Sequence, residues 1–350
     1  MAGVTTLTNV EDLEDLSARL THRFKPGFME VLNNETTLWN LLPKNRAVGP
    51  LVEWRCHYGR NTAGGAVAET DSPSDAGSQG YISLHANYAI YVKPVEISDF
   101  MLAKDAAAGL GSARIWADET ARAAADLKQD IERDLWGAQS GDSCLGVLDA
   151  LDDGATVASY GGKLRADYPF LQSVYQDNVG VGRDLSLPLL RGLSREIRHG
   201  TGADIVGAQA TFYKEDQGGG RVDVLLTSPD LEDVYESLVT ANSRYPIPPA
   251  SGGPADPGLT DLVYKRAPVV ASRFAPADCV LAMDLSTWSV EILPQVLRMA
   301  DGQEVETDFA LVVEGRSGQS VRAFWRIYFQ LVCFKPFRNG VLADLGGAPE

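Results

Sequence analysis

Histidine, cysteine and positive charge are all scarce in this chain of 350 residues, and each scarcity removes a class of function. Only 31 lysines and arginines stand against 47 aspartates and glutamates, a net charge of −16. A protein that tracks nucleic acid by neutralising phosphates needs a basic surface, which this chain lacks. Proximity to nucleic acid stays open, because an acidic wall repels a packed polyanion without binding it. The four cysteines, Cys56, Cys144, Cys279 and Cys333, are scattered and form no CxxC pair. They read as free thiols of a protein folded in a reducing cytoplasm. The four histidines, His22, His57, His85 and His199, share no metal-ligand spacing, so neither metal nor cofactor is expected. His57 and His85 lie on two facing strands and are expected as a cross-strand polar pair. No P-loop, GxSxG elbow or HExxH occurs. Gly64-Gly65 and Gly218-Gly219-Gly220 open no helix, so neither cradles an anion. Acidic pairs such as Asp152-Asp153 read as solvated loop. No apolar run approaches the ~20 residues that cross a bilayer, and the opening MAGVTTLTNVEDLEDL has no signal-peptide pattern.

What is present is core material, 45% hydrophobic residues, enough for two domains or one elaborated domain. Val52 to Tyr58 alternates apolar and polar residues with the period of a half-buried strand. A returning strand puts Ile82, Leu84, Ala86, Tyr88, Ile90 and Val92 on one face. Between them Gly59 to Gly80 is rich in glycine and small polar residues. Two strands leading to so long a connection describe an arm that reaches toward a partner. A helix follows from about Ser112 to Trp136, with Ile115, Ala124, Leu127, Ile131 and Leu135 as its apolar stripe. Asp118/Arg122 and Lys128/Glu132 are spaced for weak ion pairs on its polar faces, and Ser112 and Gly137 suit its caps.

Before the arm, residues 1 to about 48 hold a short acidic amphipathic segment, Val10 to Leu20, and many apolar residues with few local elements to bury them. An N-terminal arm lying over its own or a neighbouring subunit accounts for that; a helical hairpin is the alternative. Downstream the pattern becomes α/β. Leu185 to His199 reads as a helix with Pro188 in its first turn and Gly200 as its stop. Ile205–Ala208 and Asp223–Thr227 read as strands, the second running through the cap Ser228 into a helix from Pro229 to Val239. Pro246 to Gly258 is a Pro/Gly-rich loop. Val263–Val270, Cys279–Met283, Trp288–Leu293, Phe309–Glu314 and Val321–Phe334 read as strands. The last two join at Gly315-Arg316-Ser317-Gly318, where both glycines suit positive φ. The aromatics near the end, Phe324, Trp325, Tyr328, Phe329 and Phe334, fit a sheet core and not a base-stacking platform.

In this order the parts resemble the Hong Kong 97-type major capsid proteins of tailed bacteriophages. The stretches that carry the resemblance are GGAVAETDSPSDAGSQGYISLHANYAIYVKPVEIS, ADETARAAADLKQDIERDLWG, VDVLLTSPDLEDVYESL, STWSVEIL and VRAFWRIYFQLVCFKPF. The resemblance implies an α+β fold with an N-terminal arm (1–49), an extended two-stranded loop (50–96), and a peripheral domain (97–160 and 285–320) that carries the spine helix. An axial domain (161–284 and 321–345) completes it. Phe24, Phe28, Trp39, Trp54, Tyr58, Gly64, Gly65, Glu69, Tyr81 and Tyr88 are the expected subunit-interface residues.

The implied function is a virion shell: copies assemble in the host cytoplasm into hexamers and pentamers that enclose double-stranded DNA without sequence-specific binding, catalysis or membrane contact. Only a few dozen residues precede the loop, which implies a separate scaffolding protein or one already removed, and a portal is expected as a further partner. The founding member cross-links a loop lysine to a neighbour's asparagine, whereas this chain has no lysine between Lys44 and Lys93. Two alternatives remain at this level: an encapsulin-like nanocompartment shell, and an α+β enzyme with an unrecognised site.

Overall fold

The computed structural model describes residues 36–70, 72, 75–107, 113–200, 205–206, 210–212, 218–242, 262–298 and 304–346. The expectations for Val10–Leu20, Phe24, Phe28, Ser112 and Pro246–Gly258 lie outside these residues. In chain order the first elements are α1 (Thr37–Leu41), β1 (Lys44–Arg46), β2 (Val52–Asn61), β3 (Gly80–Ala86) and β4 (Ala89–Ser98). Then come α2 (Asp99–Ala107), α3 (Ala113–Trp136), α4 (Val147–Ala150), β5 (Ser159–Tyr160), β6 (Lys163–Leu164) and β7 (Val174–Gln176). They are followed by α5 (Leu187–His199), β8 (Ile205–Val206), β9 (Ala210–Phe212), β10 (Val224–Thr227) and α6 (Pro229–Asn242). The last part holds β11 (Val263–Tyr264), β12 (Ala267–Ala271), β13 (Val280–Met283), β14 (Trp288–Ile292) and β15 (Gln295–Arg298). It ends with β16 (Glu304–Thr307), β17 (Ala310–Ser317), β18 (Ser320–Cys333) and β19 (Gly340–Leu342).

The chain divides into two compact units, one of Met1–Asn34, Val92–Gln129 and Phe309–Arg326, the other of Glu35–Tyr91, Asp130–Asp308 and Ile327–Glu350. In the first, β17 pairs antiparallel with the opening of β18. Their turn is Gly318-Gln319, with Gly318 at φ +64; Gly315, at φ +103, sits instead at a β-bulge within β17. The pairing continues past the expected turn because the bulge absorbs the extra residue. Val95, Ile97 and Ala123 form the centre of this unit with Met101, Leu102, Ile115, Trp116 and Trp325 around them. The Trp325 indole donates to the Thr120 carbonyl at 2.7 Å.

The second unit is built on a six-stranded sheet, β11-β12-β10-β13-β19-β7. β10 and β13 are buried at every residue, which explains their unbroken apolar runs. β10 and β12 run parallel, a pairing that needs a crossover, and α6 supplies it. Leu190, Leu193 and Ile197 of α5 and Leu231 and Tyr235 of α6 pack into the same core as Leu225, Val280 and Leu342. Ser228 caps α6 as the sequence indicates, and Gly200 ends α5 at φ +75. A parallel pairing of β1 with β14 and an antiparallel one of β14 with β18 form a second sheet region. Asn339, fully buried, pins it: its carbonyl accepts from Asp284 N and the Trp288 indole, and its amide donates to Thr287 Oγ1 and Lys335 O.

Several sequence readings shift. The returning strand is two strands, β3 and β4, broken at Asn87-Tyr88. Even positions Ile82 and Leu84 are buried before the break, odd positions Ala89, Val95 and Ile97 after it, while Ile90 and Val92 are exposed. The side-chain phase changes because the pairing with β2 ends at Ala86 and β4 pairs instead with β18, so the second strand sets its own inward face; at the break Gln330 Nε2 donates to the Asn87 carbonyl at 2.6 Å. Val263–Val270 is a hairpin, not one strand: Val263 faces Pro268 and Tyr264 faces Ala267 across Lys265-Arg266. Both turn residues have positive φ, +48 and +80, the geometry of a type I′ turn that their side chains do not announce. The hairpin of β15 with β16 has no counterpart in the sequence reading.

On α3 the buried stripe is Thr120, Ala123, Leu127, Ile131 and Leu135; Ala123, not Ala124, takes the inner position. The larger correction is Glu132, expected in an exposed pair with Lys128 and found fully buried. Its carboxylate accepts from Leu38 N and Trp39 N, both at 2.7 Å, and from the Trp136 indole at 2.9 Å. Those two amides are orphan donors at the start of α1, where Thr36 makes no side-chain cap. A carboxylate from a distant helix thus replaces the local cap.

Two outcomes follow for stability. Glu132→Ala leaves three buried donors without this acceptor and costs about 3–5 kcal/mol, with Glu132→Gln milder because one acceptor oxygen remains. Urea unfolding of both variants measures this, and an alanine cost below about 1 kcal/mol contradicts it. Arg266→Gly removes a left-handed strain at an exposed turn and raises the urea midpoint, by about 1 kcal/mol in unfolding free energy at unchanged m-value.

Candidate assembly surface

The candidate surface is the two-stranded arm of β2 and β3. The register runs from Val52 opposite Ala86 to Gly59 opposite Gly80, with a bulge between His57 and Gly59. Its base is welded to the subunit. The Trp54 ring meets Tyr160 and Phe334 edge-on at 6.0 and 6.3 Å, and Tyr58 stacks on Phe170 at 5.6 Å. The buried Tyr160 hydroxyl donates to Cys333 O at 2.9 Å and accepts from Cys333 N at 2.8 Å. Gly80 gives the Tyr58 ring its room, since a Cβ there would lie 2.9 Å from the ring and force it to shift. β2 runs on to Asn61, where Arg60 and Asn61 pair with Thr211 and Ala210 of β9, so the arm is anchored further out than its alternation suggests.

Beyond Asn61 the character changes. Residues 62–70 are exposed throughout and belong to no helix or strand. A Cβ added at Gly64 or Gly65 would meet nothing within 4 Å, and Gly64 sits at φ +97. Gln79 Oε1 accepts from Asn61 N and ties the two limbs together, and within the outgoing limb Asn61 Oδ1 accepts from Ala63 N.

Among the expected interface residues the structure therefore separates two sets. Trp39 is 4% exposed, edge-on to Phe329 at 5.4 Å, and Trp54 is 9% exposed; both are packed by their own subunit. Tyr58 and Tyr88 are half-buried, Tyr88 donating to Gly49 O at 3.2 Å. Gly64, Gly65, Glu69 and Tyr81 are exposed, Tyr81 at 67%. The expected His57–His85 pair does not form: Tyr81 faces His57, at 5.0 Å between rings, and Glu53 faces His85. The reason is register, which places the two histidines four residues apart along the ladder.

Sequence reasoning missed a second exposed apolar feature, the turn carrying Val179 and Val181, 88% and 62% exposed. Val179 has φ +56, rare for a β-branched residue, and the Asp344 carboxylate holds the turn by accepting from Asn178 N and Gly180 N. These two bonds lower the Asp344 pKa. Valines flanking a glycine after Asn178 are the signal that could have marked it.

Asp152, expected in solvated loop, is buried. It accepts from Gly154 N and Val157 N and stands 3.3 Å from the fully buried Arg165, which donates to the carbonyls of Asp149 and Ala150. Burial lowers the Arg165 pKa, and Asp152 opposes that shift. The pair packs the segment. Among the described residues no group of His, Cys, Asp and Glu could hold a metal ion, and no helix is long and apolar enough to cross a membrane.

All four cysteines are free thiols. Burial pushes Cys144, Cys279 and Cys333 up to about 12, and Cys56, half-buried, is raised with Lys335 pulling back. The unfolded thiol ionises near ~8.5. Stability is therefore intact below that pH and falls as pH rises from there toward about 12, since only the unfolded chain ionises in that window. Alkylation of the native protein at pH 8 labels Cys56 first and the other three only on unfolding; equal labelling of all four contradicts the burial.

A family profile described as the SU10 major capsid protein matches residues 5–345. No curated protein matches the chain. Among solved structures, the capsid asymmetric unit of cyanophage A-1(L) is 18% identical, with a TM-score of 0.67 over 95% of this chain and 99% of that one. The capsid of a native GTA particle is 11% identical, TM-score 0.63, over 93% and 95% of the two chains. The SrpI encapsulin of Synechococcus elongatus is 11% identical, TM-score 0.52, over 96% of each. At these identities the likeness is one of fold, the Hong Kong 97-type capsid fold, while the sequence profile covers nearly the whole chain. With that profile spanning residues 5–345, the chain belongs to the SU10 major capsid protein family.

Proposed function

We propose that many copies of this chain, arranged as hexamers and pentamers, tile an icosahedral shell that encloses the double-stranded DNA of a tailed phage, without catalysis. The whole-chain match to a major capsid family carries this reading. In this reading the particle assembles in the host cytoplasm on a separate scaffolding protein and around a portal, and the net charge of −16 keeps packed DNA from adhering to the wall. Residues 1–49 serve as the N-terminal arm and 50–96 as the extended loop. Residues 97–160 and 285–320 form the peripheral domain, and 161–284 and 321–345 the axial domain. The exposed set, Gly64, Gly65, Glu69 and Tyr81, meets a neighbour directly, joined by Phe24 and Phe28. Trp39, Trp54, Tyr58 and Tyr88 support that contact from behind.

No lysine stands between Lys44 and Lys93, so the loop tip offers no amine for a covalent bond and closure is non-covalent. Each buried aromatic contributes at most a few kcal/mol, but every equivalent interface repeats the contact. The encapsulin likeness supports a second reading, a shell around a cargo protein.

Electron microscopy of the purified protein, with analysis of particle contents, tests the assignment. Closed shells holding DNA, in particles purified from infected cells, are expected; shells packed with one foreign protein favour the compartment, and a lone soluble subunit overturns both. The same particles, boiled in detergent, run as a single band near 37.7 kDa, and a ladder excludes non-covalent closure. Deleting Gly64 to Gly77 leaves a folded subunit whose yield of closed shells drops at least about tenfold, as expected when each lost contact is multiplied over the shell. Normal shells from that deletion contradict the role of the tip.

A further inference from the structure

A groove of about 560 Å³ opens between β2 and the segment that follows β18. Arg55, Arg60, Lys335 and Arg338 line it together with Phe334 and Phe337, and none of its lining residues is acidic. Four cations around one recess stand out in a chain of net charge −16. The Arg338 Nε is buried and makes no hydrogen bond among the described residues.

One stretch of the same chain has the complementary pattern. Val10, Leu13 and Leu16 recur every three residues, and Glu11, Asp12, Glu14 and Asp15 fill the positions between them. In sequence the stretch offers carboxylates to a recess lined by cations, and aliphatic residues to one lined by Phe334 and Phe337. From Leu16 to Thr36, where the described structure begins, the chain runs 36 − 16 = 20 residues. Extended, that tether spans up to about 70 Å, enough to leave its own subunit.

We propose that the groove receives the acidic segment Val10–Leu16 of a second copy of this chain, a strap that joins neighbouring subunits. The inference rests on the shell reading and adds its missing partner surface. DNA fits the groove less well: a polyphosphate needs a continuous basic track, whereas here the cations ring a single recess over apolar rings. Desolvated carboxylate–guanidinium contacts also fix register, which a repeating shell contact requires.

Cys56 stands in the groove wall and provides the test. In assembled particles of Leu13→Cys, mild oxidation should join the new thiol to Cys56 of another subunit and give a ladder on a non-reducing gel, abolished by adding Cys56→Ser. Particles that assemble normally but give no bridge, or only an unladdered intrachain bridge, overturn the proposal; so does a bridge that forms in empty particles but not in DNA-filled ones. Failure of the unmodified chain to form shells at all counts against the shell reading instead. If Leu13→Cys fails to assemble, Val10→Cys and Leu16→Cys repeat the measurement. Charge reversal supplies an independent arm. Glu11→Lys with Glu14→Lys should slow bridging about tenfold, and Arg55→Glu with Lys335→Glu in the same chain should restore it. Equal slowing with no rescue contradicts the pairing.

Discussion

A carboxylate held away from water is the constraint on which the subunit's entry into its own fold depends. Burying an ionised glutamate costs several kcal/mol, so Glu132 is tolerable only where donors meet it at once. Leu38 N, Trp39 N and the Trp136 indole do so within 2.9 Å. The geometry leaves little freedom, because moving α1 by one residue would present different amides. Fixing α1 in turn fixes the strand after it: β1 joins β14 in parallel, Lys44 opposite Val290, and β14 carries β18 on its other side.

A second constraint holds the extended loop. Its base is made rigid by aromatic packing around Trp54 and Tyr58 and by the Tyr160 hydroxyl on Cys333, and its outer strand is paired with β9. Its tip has no such support, since Gly64 and Gly65 face open space. Rigidity at the base with exposure at the tip fits an element that is aimed by one subunit and completed by another.

Much of the architecture was legible because period and burial coincide. α3, α5 and β10 carry their burial in the sequence as stripes or unbroken apolar runs, and Ser228 and Gly200 mark ends that the backbone needs. The parts that were not legible share a cause: a polar residue whose partner is distant in sequence. Glu132 looks like a solvated helix residue until Leu38 arrives from 94 residues away. Asp152 looks like acidic loop until Arg165 folds over it. The phase flip at Asn87-Tyr88 and the turn at Lys265-Arg266 are hidden for another reason, since neither pair contains the glycine that usually signals such backbone. Of the candidate surface, the glycine-rich tip was visible in composition. That Trp39 and Trp54 serve their own subunit was not, because hydrophobicity does not say whose core a side chain joins.

The central claim is that this subunit carries its own core but leaves its loop tip to a neighbour. Hydrogen–deuterium exchange, compared between free subunits and assembled particles, measures this directly. The account predicts slow exchange along α3, β10 and β18 in both states, and a gain of protection on assembly over residues 62–79. Protection of that stretch already complete in the free subunit, or unchanged by assembly, would contradict it.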